Sequence, residues 1–486
     1  MLLNTITYLC FLGITAAVHY LLPVRYRNGF LLAASVVFLY TEGAVSLLIA
    51  LCAALITFFF GRKIASCNDR AQRKRFAAAG ILLLLLNLCF FKYANLLTSF
   101  LQDPVKILFP VGISFYTFAS IGYLADVQRG AVPAETDPVT WLLSVLFFPQ
   151  ALSGPIARAK NIIPQLKERT VTPEMVTLGL RRILLGATYK IVLADGLGLL
   201  VDGVYNHLDE HSGLAVTMAM VIYPLQLYFD FSGYSSMAVG SALLFGIRLQ
   251  ENFLAPYFST GIGEIWRRWH ISLSEWFRDY LYIPLGGSRK GESRTLLNLM
   301  IVFTASALWH GNTWTNLIWG AMIVISRFLE RMAVKNRSKE EGDPFRLSGW
   351  IKRAGVYLWW MCTMVPFRMD TVTDMVKMVR MQFARPNLSG FVPELLNLAA
   401  AGVSNTGTYY LIYFGSLIVS FAVACRADSI LYRTSLRKGD VPVTDPFASL
   451  PAWKRWALYW IMGFACAALY IITQTGGGPS FIYQGY

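Results

Sequence analysis

The feature that most restricts this chain is the length of its uninterrupted apolar blocks, such as Ala77–Phe91 and Leu411–Ala424. Crossing roughly 30 Å of hydrocarbon takes about 20 predominantly apolar residues on a helix. In hydrocarbon the backbone satisfies its own N–H and C=O groups only as helices or closed barrels. The chain holds on the order of ten to thirteen such segments, some short or interrupted by Gly and Pro. Composition agrees, because 55% of the 486 residues are hydrophobic and only 15% are charged, against about a quarter in a soluble domain. The expectation is an all-α, polytopic membrane bundle forming one domain. Its N-terminal spans lie in residues 1–100, a motif-bearing core in residues 105–335 and C-terminal spans in residues 354–486.

A net charge of +15 would suit nucleic acid if it were gathered on one surface, but the basic residues sit in short loops between apolar blocks. That is the pattern of the positive-inside rule. Arg62, Lys63, Arg70, Arg73, Lys74 and Arg75 form one loop, Lys335 to Arg353 a second, and Arg426 to Arg455 a third. Placing all three in the cytoplasm puts the tail, Gly476–Tyr486, outside. The apolar N-terminus has no basic segment before it and reads as a retained first span, not a cleaved leader. The seven cysteines are odd in number and form no CxxC pair, which favours isolated core thiols over disulfides or a zinc site.

Several apolar segments are broken. Phe109-Pro110-Val111-Gly112, Phe148-Pro149-Gln150 with Ser153-Gly154-Pro155, and Phe231-Ser232-Gly233-Tyr234 are the clearest. Irregular backbone at membrane depth is tolerated only against protein or a water-filled cavity, so the breaks are expected walls of an internal passage. The plain alternative is the ordinary enrichment of Gly and Pro in membrane helices.

There are five histidines. His207 and His211 share a polar loop with no third ligand nearby, which argues against a metal. His19, near the end of the first span, could face headgroups. His310 closes an apolar run in Ala307-Leu308-Trp309-His310-Gly311. Burial disfavours the imidazolium, and a neutral imidazole in a dry passage suits a general base. A histidine hydrogen-bonded to a neighbouring helix is the other reading. In Trp266–Tyr280, a helix would align Trp266, Trp269, Leu273, Trp276 and Tyr280 in one stripe. His270 and Ser274 would then fall one turn apart, and Glu275 could pair with Arg278. Tryptophan with arginine also fits an interfacial helix held by membrane lipids. Asp230, one turn after Gln226, is an expensive group in an apolar span and needs a buried partner. It is either a hydrogen-bond hub or a substrate contact.

Five segments together resemble the membrane-bound O-acyltransferase family, and within it the bacterial branch that O-acetylates polysaccharides. They are PVGISFYTF (Pro110–Phe118), FFPQALSGPI (Phe147–Ile156), YFDFSGYSSMA (Tyr228–Ala238), WRRWHISLSEWFRDYLYIPLGGSRKG (Trp266–Gly291) and LWHG (Leu308–Gly311). The resemblance implies a helical bundle around a transmembrane tunnel in the bacterial inner membrane. His310 matches the family's catalytic histidine and His270 its second motif histidine, with Trp309, Asp230, Gln226 and Ser274 as candidate tunnel or substrate residues. It further implies acetyl-CoA as donor substrate with no bound cofactor or metal, and an extracytoplasmic SGNH-type partner. The acceptor would be alginate, peptidoglycan or another exopolysaccharide. D-alanyl transfer to teichoic acid, as in a sister branch, and transport of an acyl donor or lipid-linked sugar without chemistry are the alternatives. The tail Phe481–Tyr486 is similar to tyrosine tails of acyl relay systems, making Tyr483 either an acyl carrier or an aromatic membrane anchor.

Overall fold

A computed structural model describes residues 1–98, 109–335, 346–383, 390–400, 407–438 and 445–474. Among these residues the regular structure is helical throughout, as the apolar blocks require. Among the described residues five helices are long and apolar enough to cross a bilayer: Ala44–Ser66, Arg70–Ala94, Pro173–Asn206, Gly213–Leu243 and Tyr410–Leu436. The shorter apolar helix Ile6–Leu21 joins them. The chain is an all-α polytopic membrane protein. Other apolar blocks among the described residues form short pieces such as Pro138–Leu146 and Phe148–Ala151.

The described chain divides into two compact units. One comprises Met1–Ile183 with Tyr234–Glu251, the other the described residues of Leu184–Gly233 and Asn252–Ile482. In the first, helices Val24–Tyr40, Ala44–Ser66 and Arg70–Thr98 follow Ile6–Leu21 in sequence. Arg70–Thr98 turns Leu82, Leu83, Leu86 and Phe90 outward, which in hydrocarbon carries no hydrophobic penalty. Gly61 permits a close crossing, since a Cβ there would come within 2.7 Å of the Tyr123 ring. Trp141 Nε1 donates to Ala54 O at 2.8 Å. The expected break at Pro110–Gly112 is present, with Gly112 in the left-handed region at φ +76° before helix Ile113–Arg129.

In the second unit, the part of helix Pro173–Asn206 from Leu184 onward carries a π-helical stretch, Thr188–Ala194. Helix Gly213–Leu243 continues through Pro224. The hydroxyls of Tyr257 and Tyr357 donate to the carbonyls of Pro224 and Val221, serving backbone beside the proline. Helices Glu292–His310 and Trp314–Lys335 form a tight hairpin, and Leu347–Arg368, Gly407–Lys438 and Ala452–Gln474 complete the long elements.

Four expectations need correction. Phe231–Gly233 is uninterrupted helix; Gly233 is there for close packing, since a Cβ would meet Gly186 O at 2.7 Å and Lys190 N at 2.8 Å. Trp266–Tyr280 is not one helix but Ile262–Arg268, a sharp turn at His270, Ile271–Phe277 and a π-helical Arg278–Tyr282. The stripe of aromatic residues is therefore split between two directions. The cysteines are not core thiols: Cys10, Cys52, Cys89, Cys362 and Cys425 are exposed, because an apolar solvent tolerates them on outward faces. His19 is fully buried, edge-on to Phe245 with centroids 5.2 Å apart, and so does not face headgroups.

Candidate active site

His310 is the last residue of helix Glu292–His310, where the chain must turn at once into Trp314–Lys335. Gly311 lets it do so, since a Cβ there would lie 2.3 Å from Asn316 Nδ2. The turn is tied down by polar side chains. Asn316 Nδ2 donates to Thr313 Oγ1 at 2.6 Å, Thr313 and Thr315 share a hydroxyl hydrogen bond of 2.7 Å, and Thr315 Oγ1 donates to Met369 O at 2.5 Å. The His310 ring is 8% exposed. It lies edge-on to Trp309, Trp319 and Phe367, with centroids at 4.6, 5.1 and 5.1 Å.

His270 is held differently. It adopts φ +43°, ψ 55°, the left-handed region, which costs a residue with a Cβ roughly 1–2 kcal/mol. The segment Asn252–Leu254 clamps it from both sides: Leu254 N donates to Arg268 O at 3.0 Å and Ile271 N to Asn252 O at 2.9 Å. Ser272 Oγ adds a bond to Asn252 Oδ1 at 2.6 Å. Strain held so firmly turns the ring into the interior, where it is 2% exposed. It meets Phe231 at 4.7 Å and Trp309 at 6.1 Å. His270 lies outside the five spans, and burial pushes its ring down to about 3, so it is neutral across the physiological range.

Trp309 therefore touches both histidines. Around them stand Trp266, Trp269, Trp319 and Trp360, with successive contacts of 6.1 Å for Trp266–Trp319, 5.4 Å for Trp266–Trp360 and 5.1 Å for Trp269–Trp360. Two buried imidazoles in an aromatic setting can accept and return a proton, and the apolar walls suit an acyl chain or thioester.

Asp230 has the buried partner its position demanded, Lys190. The Lys190 Nζ lies 2.6 Å from Asp230 Oδ1 and 2.6 Å from Asp195 Oδ1. The π-helical stretch holding Lys190 widens one turn, a feature frequent at functional sites. Phe231, next in sequence to Asp230, is the residue edge-on to His270. Tyr228, one turn earlier, donates to Asp428 at 2.8 Å. Gln226 is buried on the same helix. Ser274 is not joined to the His270 ring: its Oγ donates to Trp269 O at 3.3 Å, its N–H to His270 O at 3.0 Å. Glu275 lies 3.6 Å from Arg278 as expected. His211 is taken up by Glu394 at 2.9 Å and Gly203 O at 3.2 Å. Among the described residues no group of three or more His, Cys, Asp or Glu could hold a metal. Tyr483 and the tail lie outside the described residues.

Sequence reasoning passed over Lys190, Asp195, Trp319 and Phe367. Lys190 had a signal, a cation five residues before an acid inside an apolar stretch; Trp319 and Phe367 had none beyond being aromatic.

A family model described as MBOAT, the membrane-bound O-acyltransferase family, matches residues 135–369, which include both histidines. The chain is 42% identical over 325 residues to the probable alginate O-acetylase AlgI of Azotobacter vinelandii, covering 64% of each chain. It is 39% identical to the protein of the same name from Pseudomonas putida, covering 69% of this chain and 72% of that one. A peptidoglycan O-acetyltransferase of Helicobacter pylori is 32% identical, covering 57% of this chain and 59% of the relative. The matched region thus spans about two thirds of the length of the alginate relatives.

Proposed function

The chain belongs to the membrane-bound O-acyltransferase family, and from that premise we propose that it moves an acetyl group from cytoplasmic acetyl-CoA to hydroxyls of an extracytoplasmic polysaccharide. The observation that carries this reading is the aromatic chamber in which Trp309 touches both His310 and His270. Support for acetyl over other acyl groups comes from the names of the relatives, alginate and peptidoglycan O-acetylating proteins.

In this reading a hydroxyl oxygen attacks the thioester carbonyl carbon while His310 takes its proton. The tetrahedral intermediate collapses, the C–S bond breaks, and the imidazolium returns the proton to the departing thiolate. No net proton is released, which fits a site with little access to water. His270, locked by the Asn252–Leu254 clamp, orients the chamber's polar network. The hydroxyl is that of Tyr483 or of an SGNH-type partner, which hands the acetyl group on to the polymer, whether alginate, peptidoglycan or another exopolysaccharide. The donor and the relay meet across a passage between the two faces of the bacterial inner membrane, with the C-terminal tail outside.

The test is His310→Ala expressed in the native host, with ester-linked acetate on the envelope polymer measured beside the thermal midpoint of the purified variant. Loss of acetate with an unchanged midpoint supports the assignment, and undiminished acetate removes it. Label from acetyl-CoA that never becomes covalent would favour transport; dependence on a carrier-protein thioester would favour D-alanyl transfer.

A further inference from the structure

Buried indole N–H groups nearly always find an acceptor, and two in this chain do so plainly. Trp141 donates to Ala54 O, and Trp359 donates to Ser326 Oγ at 2.7 Å. Three others behave differently. The Nε1 atoms of Trp266, Trp319 and Trp360 are buried and have no hydrogen-bond partner among the described residues. Trp319 and Trp360 are 2% and 1% exposed. They come from three helices, Ile262–Arg268, Trp314–Lys335 and Leu347–Arg368, yet they form one connected cluster through Trp266. The cluster reaches His310 through Trp319, whose ring is 5.1 Å from the imidazole.

An indole N–H donates and never accepts, so a cluster of such groups selects a ligand that presents several acceptor oxygens. Neighbouring hydroxyls or amides of the protein would have satisfied these donors at little expense. Leaving three of them in one cluster that reaches a histidine makes sense when the acceptors arrive with the substrate. We propose that Trp266, Trp319 and Trp360 are the hydrogen-bond donors for the carbonyl oxygens of the acyl donor. Trp319, the one touching His310, serves the acyl carbonyl itself. The proposal rests on reading that donor as an acetyl thioester. As the hydroxyl attacks, the carbonyl oxygen gains negative charge, and an N–H already fixed by packing stabilises it without reorganisation. Trp266, one ring further from His310, and Trp360, one ring beyond that, hold acceptors along the remainder of the donor's arm. The methyl and sulfur of the thioester meet only aromatic faces.

The experiment compares Trp319→Phe, Trp266→Phe and Trp360→Phe with Trp359→Phe in inverted membrane vesicles containing the full chain, with the concentration of labelled acetyl-CoA varied. Trp319→Phe is expected to lower kcat by roughly 10²-fold with KM little changed, and Trp266→Phe and Trp360→Phe to raise KM. Their thermal midpoints without donor should not fall in proportion, since the N–H removed made no bond in the resting protein. Trp359→Phe, which removes a bond actually made, should lower the midpoint and leave kcat and KM alone. Should Trp319→Phe fold poorly, 3-benzothienylalanine at position 319 keeps the bicyclic shape without the N–H and reads the same quantity. Full kcat in that variant or in Trp319→Phe, with an active wild type, overturns the donor set alone. A wild type that transfers nothing from acetyl-CoA overturns the reading of the donor, and this inference with it.

Discussion

Replacing Lys190 by Met tests whether the buried charge cluster is an architectural hub. Its ammonium lies 2.6 Å from each of two carboxylates, and the side chains of Lys190 and Asp230 are 3% and 2% exposed. At that separation and an effective dielectric constant near 20, each attraction is worth about 6 kcal/mol before desolvation is subtracted. Removing one partner of such a pair leaves an uncompensated buried charge and typically costs about 3–5 kcal/mol. Lys190→Met strands two carboxylates and belongs at the upper end of that range or beyond. Asp230→Asn leaves Lys190 paired with Asp195 and exchanges a charged acceptor for a neutral one, so about 1–3 kcal/mol is expected. The double variant removes one carboxylate together with the cation, and its loss should be smaller than the sum of the single losses. The assay is a thermal-midpoint cycle in detergent micelles over the wild type, both single variants and the double variant, with acyl transfer measured on each. A Lys190→Met protein as stable as wild type, or strictly additive losses, would refute the hub. Asp230→Asn that keeps its midpoint yet loses transfer would instead make Asp230 a substrate contact.

Three further outcomes are expected. His270→Gly should be more stable than His270→Ala by about 1 kcal/mol, because both delete the ring but only glycine adopts φ +43° without strain; chemical denaturation of the two variants reads the difference. The His270 value of about 3 lies below the ordinary 6.5, so the fold favours the neutral ring. The stability this contributes is whole above about pH 6.5 and is lost as pH falls from there toward about 3, and thermal midpoints against pH should decline less steeply in His270→Asn than in wild type. Gly311→Ala would drive a Cβ to 2.3 Å from Asn316 Nδ2, displacing the turn that follows His310. Transfer should fall by more than tenfold, whereas a fully active variant would mean that the turn does not position the base.

The membrane class and the helical content follow from block length and hydropathy alone, because a span is a local property of consecutive residues. The turn at Gly112 was equally legible, since proline and glycine act on their own backbone. His310 stood out as a polar group ending an apolar run, and Asp230 announced that it needed a partner. The identity of that partner was not legible. Lys190 is forty residues away, and only the packing of two helices at Gly233 brings the ammonium to the carboxylate. The same limit hid the split of Trp266–Tyr280, whose spacing of apolar residues suits a helix throughout. Its break at His270 is imposed by backbone bonds from Asn252–Leu254, which no periodicity records. Sequence by itself therefore determined what the chain dissolves in and which residues are chemically out of place there. Tertiary structure decided which of them meet, because each contact around His310 and His270 depends on side chains delivered by separate helices, with geometry set by packing and not by order along the chain.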